Sequence, residues 1–147
     1  MITGEAYALR GFIHFDLLRL FAPSLAAGGD GNYIPYCETY PAIYNKRLSV
    51  REVLNKVIAD LEKAQDLTAQ DTLPENIEAL QRERGRVENE NYFRERGIFW
   101  GYRCTRMNYL NITAILARVY LYAGELEKAY HEAQYVLDFQ GISFPSK

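Results

Sequence analysis

TAILARVYLYAGELEKAYHEAQYV, residues 113–136, is the part of the sequence that says most about the fold. Its first half is apolar on nearly every side, which predicts a helix over 108–123 that is buried in the middle of a packed array. Gly124 suits the left-handed conformation that ends such a helix. From 125 to 139 the apolar residues return to one face, as in an amphipathic helix. The stretch therefore predicts a tight antiparallel pair of helices, 108–123 and 125–139.

Small and large residues in this pair fall at the spacing of a tetratricopeptide repeat, which is a motif of two packed helices. The positions that carry the resemblance are Leu116, Ala117, Tyr120, Gly124, Ala129, Ala133 and Val136. Ala117 and Ala129 are expected to let the two helices approach closely, while Tyr120 fills the groove between them. The stretch departs from the repeat at Thr113, where tryptophan is common. The resemblance implies an all-α fold built from antiparallel helix pairs of tetratricopeptide-repeat type.

A second, interrupted helix pair is predicted earlier in the chain. Apolar residues recur at helical spacing over 3–21, and Pro23 ends that helix. Ser49 and Glu52 form a capping box ahead of a clean apolar stripe, which predicts a helix over 49–67. Gly11 takes the small position of this pair. The apolar stripe of the first helix consists of Ala6, Leu9, Ile13, Leu17 and Leu20, widened by Phe12 and Phe21.

Two long insertions complete the predicted organisation, which is a single helical domain over 1–147. The loop 22–48 has no helical or strand period and carries four tyrosines among its prolines, so we expect an ordered aromatic loop. The excursion 68–106 is polar and charged. Pro74 suggests a short helix there that ends near Gly85, and the charge alternation of the rest is typical of a solvated surface.

Composition excludes several classes of protein. The formal net charge is -2 and the basic residues are spread along the chain, so no nucleic-acid surface is predicted. No apolar run approaches the roughly 18 residues that span a bilayer, and the first residues do not resemble a signal peptide. The chain is therefore predicted to be soluble. Cys37 and Cys104 are too few for a disulfide framework, and whether they pair is left open.

The sequence predicts neither an enzyme nor a metal or cofactor site. His14 and His131 have no second histidine or cysteine at ligand spacing. We expect His14 to be packed between helices and His131 to be solvated. Asp60 and Glu62 stand two apart on a helix and point in different directions, so they are not the facing pair of a glycoside hydrolase. No nucleophile elbow, phosphate-binding glycine loop or zinc motif is present.

Three blocks in the same order resemble the SusD/RagB family. They are GEAYALRGFIHFDLLRLFA at 4–22, LSVREVLNKVIADLEKAQDL at 48–67 and AILARVYLYAGELEKAYHEAQYVL at 114–137. The resemblance implies a non-catalytic glycan- or nutrient-binding component of a SusC/SusD-type outer-membrane polysaccharide uptake system of Bacteroidetes. The implied partners are a SusC-like TonB-dependent transporter and an oligosaccharide or polysaccharide.

Family members are longer lipoproteins with a signal peptide and a lipid-bearing cysteine, neither of which this sequence contains. The chain is therefore expected to match the amino-terminal helical portion of the family. The resemblance places the protein at the outer membrane, exposed at the cell surface. Contact with the membrane would then depend on a lipid anchor that is absent from this sequence.

The tyrosines of the loop are the candidate ligand site. Aromatic faces cover the C–H surface of a sugar ring, while amide groups bind its hydroxyls. Trp100 in the later excursion is added for the same reason. The other interpretation of these aromatic residues is that they pack the loop onto the helices. The candidate ligand-binding residues are Asn32, Tyr33, Tyr36, Tyr40, Tyr44 and Trp100.

The alternative function is a protein–protein interaction scaffold of tetratricopeptide-repeat type. In such a scaffold the concave face of paired helices binds a peptide or a partner protein. The three blocks that resemble the SusD/RagB family and the aromatic insertion favour glycan binding instead.

Overall fold

The computed structural model describes residues 1–28, 31–41, 44–81 and 97–139. These residues are mostly helical, so the predicted all-α fold class is confirmed. The first helix packs on the second, the second also on the fourth, and the fourth on the fifth. That 1–147 forms one domain stays a prediction. The elements are α1 (Ile2–Phe21), β1 (Asn32–Pro35), β2 (Arg47–Ser49), α2 (Val50–Thr68), α3 (Ile77–Gln81), α4 (Tyr109–Ala123) and α5 (Leu126–Phe139).

Helix α2 is the central helix, and its start is fixed by the predicted capping box. The backbone N–H of Glu52 donates to Ser49 Oγ over 3.2 Å, and the N–H of Ser49 donates to Glu52 Oε2 over 2.8 Å. These bonds to Ser49 lower the pKa of the Glu52 carboxyl, which keeps it a charged acceptor at the positive end of the helix. The buried stripe behind the cap is Val50, Val53, Leu54, Val57, Ile58, Leu61 and Ala64.

Glycine lets α1 and α2 approach closely. A Cβ atom at Gly11 would lie 3.2 Å from Leu61 Cγ and 3.3 Å from the Val57 carbonyl oxygen, and one at Gly4 would lie 2.9 Å from Thr68 Cγ2. A larger residue at either position would push the helices apart. The prediction that Gly11 is the small residue at the contact between the two helices is therefore confirmed.

The face that α1 buries is not the predicted stripe. Leu20 is 74% exposed, and Leu9, Ile13, Leu17 and Phe21 are also exposed; we call these five the exposed α1 stripe. Since α1 is apolar around most of its circumference, helical spacing alone could not select a face. The close approach at the glycines selects it instead. The face that packs on the core consists of Gly4, Ala8, Gly11, His14, Phe15 and Leu18.

The fourth and fifth helices form the predicted tight pair. Gly124 ends α4 with φ +83°, the left-handed conformation expected there. However, α4 is not surrounded on all sides, because Leu121 is exposed. The predicted position in the middle of the array is confirmed, since α4 packs on both α2 and α5, but burial on nearly every side was the wrong prediction.

Two leucines of α1 test which face is buried. We expect Leu18→Ala to lower the free energy of unfolding by about 2–5 kcal/mol, since Leu18 is fully buried and its truncation leaves a cavity. Leu20→Ala is the matched control, and it should stay within about 0.5 kcal/mol of the parent chain. Urea unfolding followed by circular dichroism measures both. Equal losses for the two variants would contradict the orientation of α1.

The loop between α1 and α2 contains strands that its sequence did not predict. β1 and β2 pair antiparallel, with Ile34 opposite Leu48 and Pro35 opposite Arg47. These strands are short and contain or adjoin prolines, so they carry no alternating pattern of their own. The pairing brings the two ends of the loop together beside the start of α2, and the Tyr40–Pro41 peptide bond within the loop is cis.

The excursion between α2 and α4 is only partly a solvated surface. The short helix predicted after Pro74 is α3, while its predicted end near Gly85 lies outside the described residues. Asp71 and Arg103 are both fully buried. The prediction of a solvated face was therefore wrong for Arg103, because a charge can be buried where it is paired with another, here Asp71.

Candidate functional site

The tyrosine loop, defined here as the described residues 31–41 and 44–46, is fixed to the helices through one buried carboxylate. Asp60 of α2 is 7% exposed. Arg10 of α1 donates to it twice, from Nε to Oδ2 over 2.6 Å and from Nη2 to Oδ1 over 2.7 Å. The Tyr36 hydroxyl donates to the same Oδ2 over 2.6 Å. One carboxylate thus joins α1, α2 and the loop with charge-assisted hydrogen bonds, which are the strong kind.

The protonation states of this anchor follow from its contacts. The hydrogen bond to Asp60 raises the pKa of the Arg10 guanidinium above its already high value. Burial, and then the hydrogen bond to Asp60, raise the pKa of the Tyr36 phenol. Both donors therefore keep their protons through neutral and mildly alkaline pH.

His14 forms the second attachment of the loop. Its ring stacks on that of Tyr36 with centroids 4.0 Å apart. The N–H of Cys37 donates to His14 Nε2 over 3.0 Å, so the ring proton lies on Nδ1, which is 2.8 Å from the Arg10 carbonyl oxygen. Both ring nitrogens are used inside the protein. His14 is buried as predicted, and the predicted solvation of His131 is also confirmed, since its side chain is 81% exposed.

Beyond these attachments the loop presents aromatic rings to solvent. Tyr40 is 98% exposed and Tyr44 is 87% exposed, and Asn32 at the start of β1 is exposed as well. In contrast, Tyr36 is 4% exposed and Tyr33 is half-buried against the core. The five predicted loop residues thus divide into three that are exposed and two that hold the loop in place.

Trp100 does not join the tyrosine loop. It is half-buried and packs edge to face on Phe99, with centroids 5.8 Å apart. Phe99 in turn lies under the guanidinium of Arg106, which binds Glu5 over 2.6 Å. The tyrosine loop meets α1 at Arg10, which is five residues after Glu5. On an α-helix this separation is about 7.5 Å along the axis and about 140° around it. The segment with Trp100 therefore contacts a different face of α1.

A buried ionic cluster, defined here as Glu5, Asp71, Arg103 and Arg106, joins distant parts of the chain. Arg103 Nε donates to Asp71 Oδ1 over 2.8 Å, and Arg103 Nη1 donates to Glu5. The N–H of Tyr109, at the start of α4, donates to Asp71 Oδ2 over 3.0 Å. Two cations and two carboxylates balance in charge. Arg103 and Asp71 are fully buried, whereas Arg106 is partly exposed. Through these bonds the cluster links α1 to the start of α4.

Sequence reasoning missed the roles of Asp60 and Arg103, although Asp60 left a signal. It stands inside the apolar stripe of α2, three residues after Val57 and four before Ala64. A carboxylate on the buried face of a helix requires a partner. Arg103 left no such signal, because it lies among many charged residues with no regular spacing.

The described residues contain no group of three or more metal-ligating side chains that could hold an ion. Glu62 accepts a hydrogen bond from the Tyr120 hydroxyl over 2.6 Å, on a different side of α2 from the Asp60 anchor. Burial, then that bond, raise the pKa of Tyr120. Cys37 and Cys104 are both free thiols. Among the helices in the described part of the chain, none combines the length and apolar character needed to cross a membrane.

An apolar groove of about 590 Å³ runs between α1 and α4. Leu9 of the exposed α1 stripe forms one of its walls. Glu5 and Arg106, which pair with each other, stand at its rim. Its remaining lining residues include Phe12, Met107, Ala114 and Ile115.

The fold and the site define an all-α protein of paired helices that carries an anchored loop with exposed tyrosines. A comparison with protein-family models matches residues 1–83 to a SusD-like family, described as starch-binding associating with outer membrane. The match spans more than half of the chain and includes α1, the tyrosine loop and α2. The chain therefore belongs to this SusD-like family of outer-membrane-associated, starch-binding proteins. A search of curated proteins finds no match.

Proposed function

We propose that this chain is a non-catalytic, glycan-binding part of a SusC/SusD-type polysaccharide uptake system, and that Tyr40 and Tyr44 contact the sugar. One observation carries the proposal: two tyrosines with almost fully exposed rings stand on a loop whose base is fixed by Asp60. An exposed tyrosine offers a flat apolar ring and a polar hydroxyl, which suit contact with a sugar.

The anchor explains how such a loop could bind without a large entropic cost. Ordering a free loop on binding opposes affinity, whereas a loop already held in place avoids much of that cost. Asp60, Tyr36 and His14 fix the base of the loop before any ligand arrives. Tyr40 and Tyr44 can then supply flat faces for sugar rings, and Asn32 can supply an amide for their hydroxyls.

The proposed role is non-catalytic because Asp60 and Glu62, the two carboxylates weighed as a glycosidase pair, already have partners inside the protein. Asp60 is fully used by Arg10 and Tyr36, and Glu62 is hydrogen-bonded to Tyr120. Both carboxylates are thus engaged within the protein, whereas glycoside hydrolysis requires two acids that face a substrate across a cleft. This arrangement supports a binding role.

We also propose that the helical frame contacts a SusC-like TonB-dependent transporter at the cell surface. The membership in a family associated with the outer membrane supports this. The exposed α1 stripe and the groove beside it are of the kind that proteins use to bind one another. The same groove is the observation that favours the alternative function, a scaffold for a peptide or another protein partner.

The sugar proposal predicts that the exposed tyrosines dominate binding. We expect Tyr40→Ala and Tyr44→Ala each to weaken binding of a malto-oligosaccharide about tenfold, since losing a central aromatic contact costs about 1–2 kcal/mol. Isothermal titration calorimetry measures this. Tyr130→Ala is the matched control, because Tyr130 is an exposed tyrosine on α5, and it should bind like the parent chain.

The double variant Tyr40→Ala/Tyr44→Ala decides the matter. Both side chains are exposed, so the variant should keep the circular dichroism spectrum and unfolding midpoint of the parent. If it also keeps the parent's affinity for the sugar, the loop is not the site. A parent chain that binds a peptide partner in its groove and no sugar would favour the scaffold function.

A further inference from the structure

We propose that a second pocket, where α1 ends, is a subsite for one neutral sugar residue; this inference rests on the proposed glycan-binding function. The pocket is open and holds about 500 Å³, a volume within the range of small-molecule sites. Neither Tyr40 nor Tyr44 lines this pocket. Its lining consists of Asp16, Arg19, Leu20, Ala22, Ser24 and Tyr122.

The charged groups of this pocket cancel each other. Arg19 Nη1 donates to Asp16 Oδ1 over 3.0 Å, one helical turn away, and both side chains are partly exposed. Since the pair carries no net charge, the lining residues favour neither an anion nor a cation; the Arg118 guanidinium lies outside this lining, 5.8 Å from the centre of the Phe15 ring. Asp16 keeps its second oxygen as an acceptor, and Arg19 keeps further N–H donors. A carboxylate beside a guanidinium can thus accept from and donate to adjacent hydroxyls of one sugar ring.

Tyr122 supplies an aromatic wall that is held in place. Its ring packs edge to face on Phe15, with centroids 5.4 Å apart and an angle of 86°, and Phe15 is fully buried. The guanidinium of Arg19 lies 5.5 Å from the centre of the same Phe15 ring. The buried Phe15 therefore positions both Tyr122 and Arg19. Because these side chains are already held in place, a ligand loses less binding energy in ordering them.

Two hydroxyl groups of the pocket have no partner within the part of the chain that the structure describes. The Tyr122 hydroxyl makes no hydrogen bond to a described residue, and neither does the side chain of Ser24, which precedes a short 3-10 turn without capping it. With Asp16 and Arg19 they form a set of donors and acceptors around an open volume. Leu20 adds an exposed apolar wall. Such a set suits a neutral, hydroxyl-rich ring.

A subsite here would strengthen binding of a long glycan. A glycan long enough to contact both the tyrosine loop and this pocket would bind with higher overall affinity. Once the first contact has formed, the second forms within the same complex and needs no further encounter. A short oligosaccharide would occupy either position separately. The two positions can therefore be tested separately with maltotriose.

The test is a titration of the ¹⁵N-labelled full chain with maltotriose, followed by amide chemical shifts. We expect shifts at Arg19, Ala22 and Tyr122 that persist in the variant Tyr40→Ala/Tyr44→Ala. Tyr122→Phe removes only an unpaired hydroxyl and Asp16→Asn keeps the side-chain shape. Each should raise the dissociation constant measured at the pocket about fivefold or more. Tyr130→Phe on α5 is the matched control.

The outcomes separate this inference from the proposed function. Shifts confined to the tyrosine loop overturn the subsite and leave the loop as the site. Shifts at the pocket that Tyr122→Phe and Asp16→Asn leave unchanged also overturn it. Equal shifts on titration with inorganic phosphate overturn the assignment to a neutral ligand. No shift at either place overturns both the subsite and the proposed glycan function for this sugar.

Discussion

Replacing Arg103 by methionine is expected to lower the free energy of unfolding by about 3–5 kcal/mol, the cost of removing one partner from a buried ion pair. Arg103 is fully buried, and so is its partner Asp71. Without the guanidinium, the buried Asp71 loses its charged partner, while Glu5 keeps only Arg106. Methionine keeps much of the volume, so the loss reports on charge. Urea or thermal unfolding of the full chain measures it.

Two comparisons isolate the contribution of the cluster. Arg19→Met removes the arginine of an exposed pair and should cost about 0–1 kcal/mol. The double variant Arg103→Met/Asp71→Asn should lose less than the sum of its single variants, because the two residues interact directly. A cost for Arg103→Met no larger than that for Arg19→Met would mean that the cluster does not hold α1 to α4.

Asp60→Ala is the second change with a large expected effect. It removes the acceptor of Arg10 and Tyr36 together, so we expect a loss of about 2–4 kcal/mol in the free energy of unfolding. The expected loss of stability is smaller than for Arg103→Met because the Arg10 side chain is partly exposed and can hydrogen-bond to water instead. The loop should also be released, which weakens sugar binding even though Tyr40 and Tyr44 are unchanged.

Hydrogen exchange reads out the release of the loop. The N–H of Cys37, which donates to His14, should exchange faster in Asp60→Ala under conditions where the protein stays folded. Asp66→Ala is the control on the same helix, since Asp66 is exposed and should alter neither stability nor exchange. Unchanged exchange at Cys37 in Asp60→Ala would contradict the role of Asp60 as the anchor.

The sequence predicts helices well here where one local signal suffices. The capping box and the one-sided stripe of α2 each specify the helix independently of the rest of the chain, and Gly124 specifies its turn. The buried face of α1 is different, since apolar residues surround the helix. Gly4 and Gly11 decide it through contacts with α2, and those contacts exist only once both helices are in place.

In the candidate site, too, the sequence predicts some features and not others. Composition and spacing pointed to the tyrosine loop, but a tyrosine has an apolar ring and a polar tip, so its sequence position does not tell a buried anchor from an exposed platform. Tyr36 and Tyr40 are only four residues apart and have opposite environments. The difference arises from Asp60 and His14, which lie on two separate helices. No local pattern contains that information.

Affinity electrophoresis shows whether this chain binds a glycan through the exposed tyrosines of its anchored loop. The full chain is run through native gels that contain soluble starch, xylan, mannan or pectin and through a gel without polysaccharide. We expect retardation in at least one polysaccharide gel, which the variant Tyr40→Ala/Tyr44→Ala loses. Migration of the parent chain alongside a non-binding reference protein in every gel would contradict it.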